Sequence, residues 1–194
     1  MKETKILHAY LKERIEGEYS INPETGLIDV KGSVDLSYEN LTKIPYKFGH
    51  VSKSFFCSYN QLTSLEGCPQ IVSGSFWCNG NQLTSLEGSP QTVGGNFNCY
   101  NNQLTSLEGC PKTVEGFFNC SNNQLTSLKG GPQTVKAYFD CISNKIESLK
   151  FMPKCYNQSE VISDIRKQIR QYLIDLGFDP EYNFEALMKA QENS

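Results

Sequence analysis

The chain has 194 residues, 38% of them hydrophobic and 20% charged, with a formal net charge of −3. That length suits one compact domain or one short repeat array, and no stretch approaches the ~20 consecutive apolar residues of a membrane-spanning helix. Between Phe55 and Leu149 there are four Lys, no Arg and six acids, a net of 4 − 6 = −2; a nucleic-acid binder carries a basic stripe instead, so nucleic acid is not an expected partner.

The first segment, MKETKILHAYLKERIEGE, mixes acids and bases among its apolar positions and lacks a signal-peptide core, which makes the cytoplasm the default location. From about Glu3 to Ile15, the residues Ile6, Leu7, Tyr10, Leu11 and Ile15 recur on one helical face, and Gly17 is placed to stop that helix. YSINPETGLIDV then predicts a hairpin, with Asn22-Pro23 and Gly26 in its turn.

A period of 21 residues follows. Phe55, Phe76, Phe97, Phe118 and Phe139 align, and two residues later come Cys57, Cys78, Cys99, Cys120 and Cys141. Asn60, Asn81, Asn102, Asn123 and Asn144 form the next column, followed by Leu62, Leu83, Leu104, Leu125 and Ile146, and then by Leu65, Leu86, Leu107, Leu128 and Leu149. Each copy closes on a proline, at Pro69, Pro90, Pro111, Pro132 and Pro153, and a last apolar column runs through Val72, Val93, Val114 and Val135. One period upstream, VDLSYENLTKIPYKFGHV keeps the apolar places but puts Glu39 where the other copies carry Asn.

The pattern F-x-C-x-x-N-x-L-x-x-L matches the leucine-rich-repeat signature, with Phe and Cys in the first two Leu places. A single coil cannot bury its own apolar face, so neighbours stack into a repeat solenoid with a continuous core. The expected fold is a curved parallel β-sheet of about six rungs, with turns or extended segments on the convex side. Phe and Cys point inward from each strand, and the Asn satisfies backbone in the tight turn that follows.

Eight Cys without a secretion signal are expected as thiols. The inward Cys column behaves as small buried hydrophobes, since Leu36 fills the same place in the first rung and a metal or redox role would not tolerate that exchange. Cys68 and Cys110 share a variable turn position with Ser89 and Gly131, so they are expected to be incidental. Beyond the last rung, Val161, Ile165, Ile169, Tyr172, Leu173 and Leu176 make a stripe on a helix from about Glu160 to Leu176. Asp179-Pro180 begins a second short one. Residues 1–32 are thus expected as an N-terminal helix-plus-hairpin cap, 33–153 as the solenoid and 154–194 as a C-terminal helical cap.

Signals for catalysis are sparse. His8 and His50 have no Cys or carboxylate at a ligand or dyad spacing, and Cys155 is a lone thiol. Glu66, Glu87 and Glu108 stack in one column with Lys129 behind them, a solvated face and not a cation site. No catalytic centre, metal or cofactor is expected. The outward strand positions are more informative, because solubility alone would favour charges there. They hold Ser33, Asp35 and Ser37; Ser54, Phe56 and Ser58; Ser75, Trp77 and Asn79; Asn96, Asn98 and Tyr100; Phe117, Asn119 and Ser121; and Tyr138, Asp140 and Ile142. Exposed aromatics among amides and hydroxyls compose a recognition surface. Its candidate binding residues are Phe56, Trp77, Asn79, Asn98, Tyr100, Phe117, Asn119, Tyr138 and Asp140, with Trp77, the single Trp of the chain, as anchor.

The phrases NQLTSLEGCP, NCYNNQLTSLEG and GHVSKSFFCSYNQLTSLEG resemble the short leucine-rich-repeat proteins of tailed bacteriophages, including T4-like relatives; the resemblance covers roughly Asp29 to Pro153. A weaker similarity links the chain to short-repeat bacterial effectors such as invasion-associated ubiquitin ligases, whose catalytic domain the tail after Pro153 is too short to hold. The phage resemblance implies an accessory protein, made in the cytoplasm of an infected bacterium, that binds and disables a host protein such as a defence factor. On this basis the expected function is a non-catalytic, protein-binding module, monomeric or homodimeric. The alternatives are a small-ligand or glycan binder using the aromatic face, and a structural protein that self-associates.

Overall fold

The computed structural model describes residues 2–146 and 151–155. Helix α1 (Lys2–Arg14) leads into a long antiparallel hairpin of β1 (Ile15–Ile21) and β2 (Ile28–Asp35). From β2 the chain winds into a parallel β-solenoid. One ladder runs β2, β4 (Phe55–Phe56), β6 (Phe76–Trp77), β8 (Phe97–Asn98), β10 (Phe118–Asn119) and β12 (Phe139–Asp140). A second runs β2, β3 (Phe48–Val51), β5 (Ile71–Val72), β7 (Thr92–Val93), β9 (Thr113–Val114), β11 (Thr134–Val135) and β13 (Lys154–Cys155). Strand β2 belongs to both: Ile28 and Val30 pair with β3, and Val34 and Asp35 pair with β4.

The register is one repeat per rung, as in Phe55↔Phe76, Phe76↔Phe97, Phe97↔Phe118 and Phe118↔Phe139. Six first-ladder strands from Val34 to Phe139 therefore enclose five full coils. The Val column was expected only as return path; it forms strands because its backbone groups pair with the neighbouring coils, as Ser73 N–H does with Val51 O at 2.9 Å. In a stack of identical coils, an extended segment finds its partner at the same position of the next one.

The core lies between the ladders. Phe55, Phe76, Phe97, Phe118 and Phe139 are buried, with successive ring centroids 5.0–5.9 Å apart. Truncating one Phe of such a stack to Ala typically costs ~3–5 kcal/mol. The Asn column ties the coils together. Asn102 Nδ2 donates to Cys99 O in its own coil and to Cys78 O in the previous one, both at 3.1 Å, while its Oδ1 accepts from Leu83 N at 3.1 Å. Asn60, Asn81, Asn123 and Asn144 repeat that set. Each amide thus pairs backbone groups of two coils, one more coil than the turn role required.

Glu39 replaces Asn in the first coil, where no earlier coil offers backbone. Its carboxylate instead accepts from Arg14 Nη2 at 2.7 Å, and the Arg14 guanidinium lies 4.4 Å from the Tyr10 ring centroid. Leu11 of the helix is buried in the same core, with Leu7 and Tyr10 packed against it.

Helix α1 is shorter at its C-terminus than its apolar face suggests, and Gly17 does not stop it. Ile15, Gly17, Tyr19 and Ile21 alternate with Glu16, Glu18 and Ser20, and that period of two continues as strand β1. Gly17 sits inside the hairpin opposite Gly32 at φ +122°, where an added Cβ would meet Lys31 O at 2.3 Å. The expected C-terminal helices lie outside the described residues. No helix among the described residues is long and apolar enough to cross a membrane.

Candidate functional site

Three outward columns follow from the strand period. Just before the inward Phe lie Ser54, Ser75, Asn96, Phe117 and Tyr138. Between Phe and Cys lie Asp35, Phe56, Trp77, Asn98, Asn119 and Asp140, and after Cys come Ser37, Ser58, Asn79, Tyr100, Ser121 and Ile142. The turn then brings Tyr38, Tyr59, Gly80, Asn101, Asn122 and Ser143 to one place, all at φ between +53° and +67°.

The amides and the acid on these columns make hydrogen bonds within the chain. Asn98, 8% exposed, accepts the Tyr100 N–H through Oδ1 at 3.3 Å. Asn119 Oδ1 accepts from Ser121 N and Oγ, and Asp140 Oδ1 accepts from Ile142 N at 3.0 Å. These side chains close the strand ends as Asx-turns do. Asn79 is only 3% exposed, and its Oδ1 accepts from Ser58 Oγ at 2.7 Å.

The aromatics divide into two groups. Phe56 and Trp77, both half-buried, pack edge to face with centroids 5.6 Å apart. The Trp77 Nε1 is covered and has no hydrogen-bond acceptor among the described residues. Phe117 and Tyr138 stack at 4.9 Å on the other outer column, one and two rungs beyond Asn98. The two groups lie along one ladder, joined in register through Asn98 and Asn119.

Two residues that the sequence did not single out complete the first group. Tyr38 and Tyr59 stack at 4.8 Å and 13°, and are 71% and 40% exposed. Both occupy the left-handed turn position, φ +60° and +53°, which a bulky residue adopts only at a cost of order 1–2 kcal/mol. The Tyr59 ring lies over Gly80, where an added Cβ would be 2.6 Å from its Cδ1, and the Tyr59 hydroxyl meets that of Tyr100 at 2.5 Å. The signal was a bulky aromatic at a place where other copies carry Gly80, Asn101, Asn122 and Ser143.

Hydrogen bonds run through this cluster. Asn79 Oδ1 can only accept, so Ser58 donates to it, and the Asn79 amide donates to the Tyr100 hydroxyl. The Tyr59 and Tyr100 hydroxyls share one hydrogen bond in which either can donate, and this bond, with desolvation second, pushes the Tyr100 hydroxyl above its ordinary pKa.

Elsewhere, a groove of about 400 Å³ opens between the hairpin and β3, lined by Tyr19, Asp29, Lys31, His50 and Ser52 among others. His50 Nε2 lies 3.0 Å from Ser73 Oγ, a pairing that sequence spacing did not suggest, and Asp29 Oδ1 accepts the His50 backbone N–H. Acyl transfer at this pair would require oxyanion donors, but the N–H groups of Ser73 and Gly74 are spent on Val51 O and Lys53 O. No group of three or more metal-ligating side chains occurs among the described residues.

The column Cys57, Cys78, Cys99, Cys120 and Cys141 is buried and reduced. Cys68 and Cys110 are not incidental: they are 4% and 2% exposed and belong to the same core. Burial pushes Cys78, Cys99 and Cys120 well above the ordinary thiol range and Cys110 up to about 12. Thiols held protonated in this way are poor nucleophiles.

No family model, curated protein or solved structure matches this chain.

Proposed function

We propose that this chain is a non-catalytic, leucine-rich-repeat-type module that binds another protein through Phe56, Trp77, Tyr100 and the adjoining Tyr38 and Tyr59. One observation carries this reading. Two tyrosines are held exposed at backbone angles that disfavour them, on the face where half-buried Phe56 and Trp77 already lie. Neither the core nor the ladder needs a ring at the turn position, since Gly, Asn and Ser serve there in the later coils. Aromatic anchors of this kind carry ~2 kcal/mol or more each in protein interfaces.

The partner follows from the resemblance to short-repeat phage proteins: a host bacterial protein, such as a defence factor, bound in the bacterial cytoplasm and thereby inhibited. The test is a pull-down from bacterial lysate with the intact chain beside a Trp77→Ala, Tyr100→Ala variant. One host protein held at fixed stoichiometry by the intact chain, and lost by a variant that still melts cooperatively, is the expected result. Equal capture by both baits would remove the aromatic face from the account.

A further inference from the structure

We infer that the partner presents an arginine side chain to the first coil, held between the open face of Tyr38 and the Asp35 carboxylate; the inference rests on the protein-binding reading above and specifies the partner's chemistry. The first coil departs from the later ones at three places, each toward an aromatic ring or an acid. Tyr38 stands where Gly80, Asn101, Asn122 and Ser143 serve, Asp35 where Asn98 and Asn119 do, and Glu39 where the Asn column runs.

The fold accounts for Glu39, which binds Arg14, but not for the other two. Asp35 Oδ1 accepts the Ser37 N–H at 2.9 Å, the same bond that Asn98 and Asn119 Oδ1 make with the N–H of Tyr100 and Ser121. An amide oxygen therefore suffices for the turn, and the charge of Asp35 is surplus to it. Asp35 is exposed and has no ion-pair partner among the described residues.

Asp35 and Tyr38 open the two columns of the aromatic patch. Asp35 pairs in register with Phe56, and Phe56 with Trp77. Tyr38 lies with one face on Tyr59, has no second ring on the other among the described residues, and is 71% exposed. A planar cation fits both groups: a guanidinium stacks on the ring while its N–H fork meets the carboxylate. A lysine ammonium is compact and strongly hydrated, and it offers no plane to stack. The chain already uses this arrangement internally, since the Arg14 guanidinium lies 4.4 Å from the Tyr10 ring centroid while donating to Glu39. Charge agrees as well. The outward columns hold Asp35 and Asp140 and no Lys or Arg, and Arg14 is shared between Glu13 and Glu39.

The test is a calorimetric titration of the full chain with hexa-arginine, with hexa-lysine as the comparison of equal charge. Saturable binding is expected, tighter for hexa-arginine, and weakened about fivefold or more by Tyr38→Asn. That variant puts the residue of the later coils at a φ of +60°, which Asn tolerates, so the fold is kept. Asp35→Asn, which retains the turn acceptor, is expected to weaken binding to a similar degree, while Tyr38→Phe keeps the ring face and most of the affinity. Glu87→Gln, in the acidic column of the convex side, is expected to change nothing. Absence of saturation by hexa-arginine at millimolar concentration overturns the inference. So does equal affinity for hexa-lysine, or a loss in Glu87→Gln as large as that in Asp35→Asn. If hexa-arginine fails while the lysate partner is still captured in a Trp77-dependent way, only the arginine falls. Capture that ignores Trp77 removes the protein-binding reading as well.

Discussion

The hydroxyls of Tyr59 and Tyr100 meet at 2.5 Å across the coil that carries Gly80 between them. The contact exists because Gly80 has no side chain: a Cβ there would fall 2.6 Å from Tyr59 Cδ1. Gly80→Asn would restore the residue of the later coils, Asn101 and Asn122, at a φ of +67° that Asn tolerates. Stability is expected to change by less than about 1 kcal/mol, while the Tyr59 ring moves and the Tyr100 hydroxyl returns toward its ordinary range. A tyrosinate absorbance titration reads this as an earlier onset for one of the raised components, Tyr10 keeping its own shift.

The Asn ladder makes a graded prediction. Asn102→Ala removes a buried amide that pairs backbone groups of two coils. Each buried group left unpaired costs about 1–3 kcal/mol, so a loss of roughly 3 kcal/mol or more is expected in urea unfolding. Asn144 keeps the same partners but is half-buried near the end of the ladder, and Asn144→Ala should cost distinctly less.

Alkaline pH should weaken the fold in a defined direction. Cys78, Cys99 and Cys120 titrate well above the ordinary range in the folded chain, and Cys110 at about 12, because burial disfavours the thiolate. Unfolded thiols lose their protons near pH ~8.5. Above that pH the folded state holds more protons than the unfolded one, so stability is flat below it and falls as pH rises toward the folded values. Each such thiol removes at most about 1.4 kcal/mol per pH unit. Urea midpoints at pH 7 and pH 10 check the sign, and the thiols of the buried Cys57, Cys78, Cys99, Cys120 and Cys141 column should react with a disulfide reagent at pH 8 only after unfolding.

Arg14 and Glu39 should be energetically coupled. Their pair lies 2.7 Å apart with side chains 18% and 34% exposed, which limits its worth through solvent screening. A double-mutant cycle with Arg14→Ala and Glu39→Ala is expected to give about 1 kcal/mol or less. Arg14→Ala should also raise amide exchange in α1 ahead of the solenoid, since the guanidinium packs over Tyr10 as well.

How far the sequence was legible depended on whether a residue's role repeats. Phe76, Cys78, Asn81 and Leu83 stand in columns that recur from coil to coil, and their burial followed from the period alone. The Val72 column showed one apolar residue per copy, too little to reveal a strand, because a two-residue strand is created by its neighbours and not by its own pattern. Tyr38 and Tyr59 escaped notice since their turn position became visible only as a run of left-handed φ angles. Asn79 and Asn98 were placed outward by alternation, yet alternation gives no account of the partners that cover them. Cys68 looked arbitrary beside Ser89 and Gly131, but what that column shares is small size within the core.

The chain has a single Trp, so biosynthetic 5-fluorotryptophan gives one fluorine signal from the centre of the aromatic face. The most direct test of the account is that signal before and after the captured partner is added in excess. The account predicts a shifted resonance for Trp77 and loss of its solvent-induced isotope shift when the complex forms. A complex that forms at full stoichiometry while the resonance stays unmoved and solvent-accessible would contradict it.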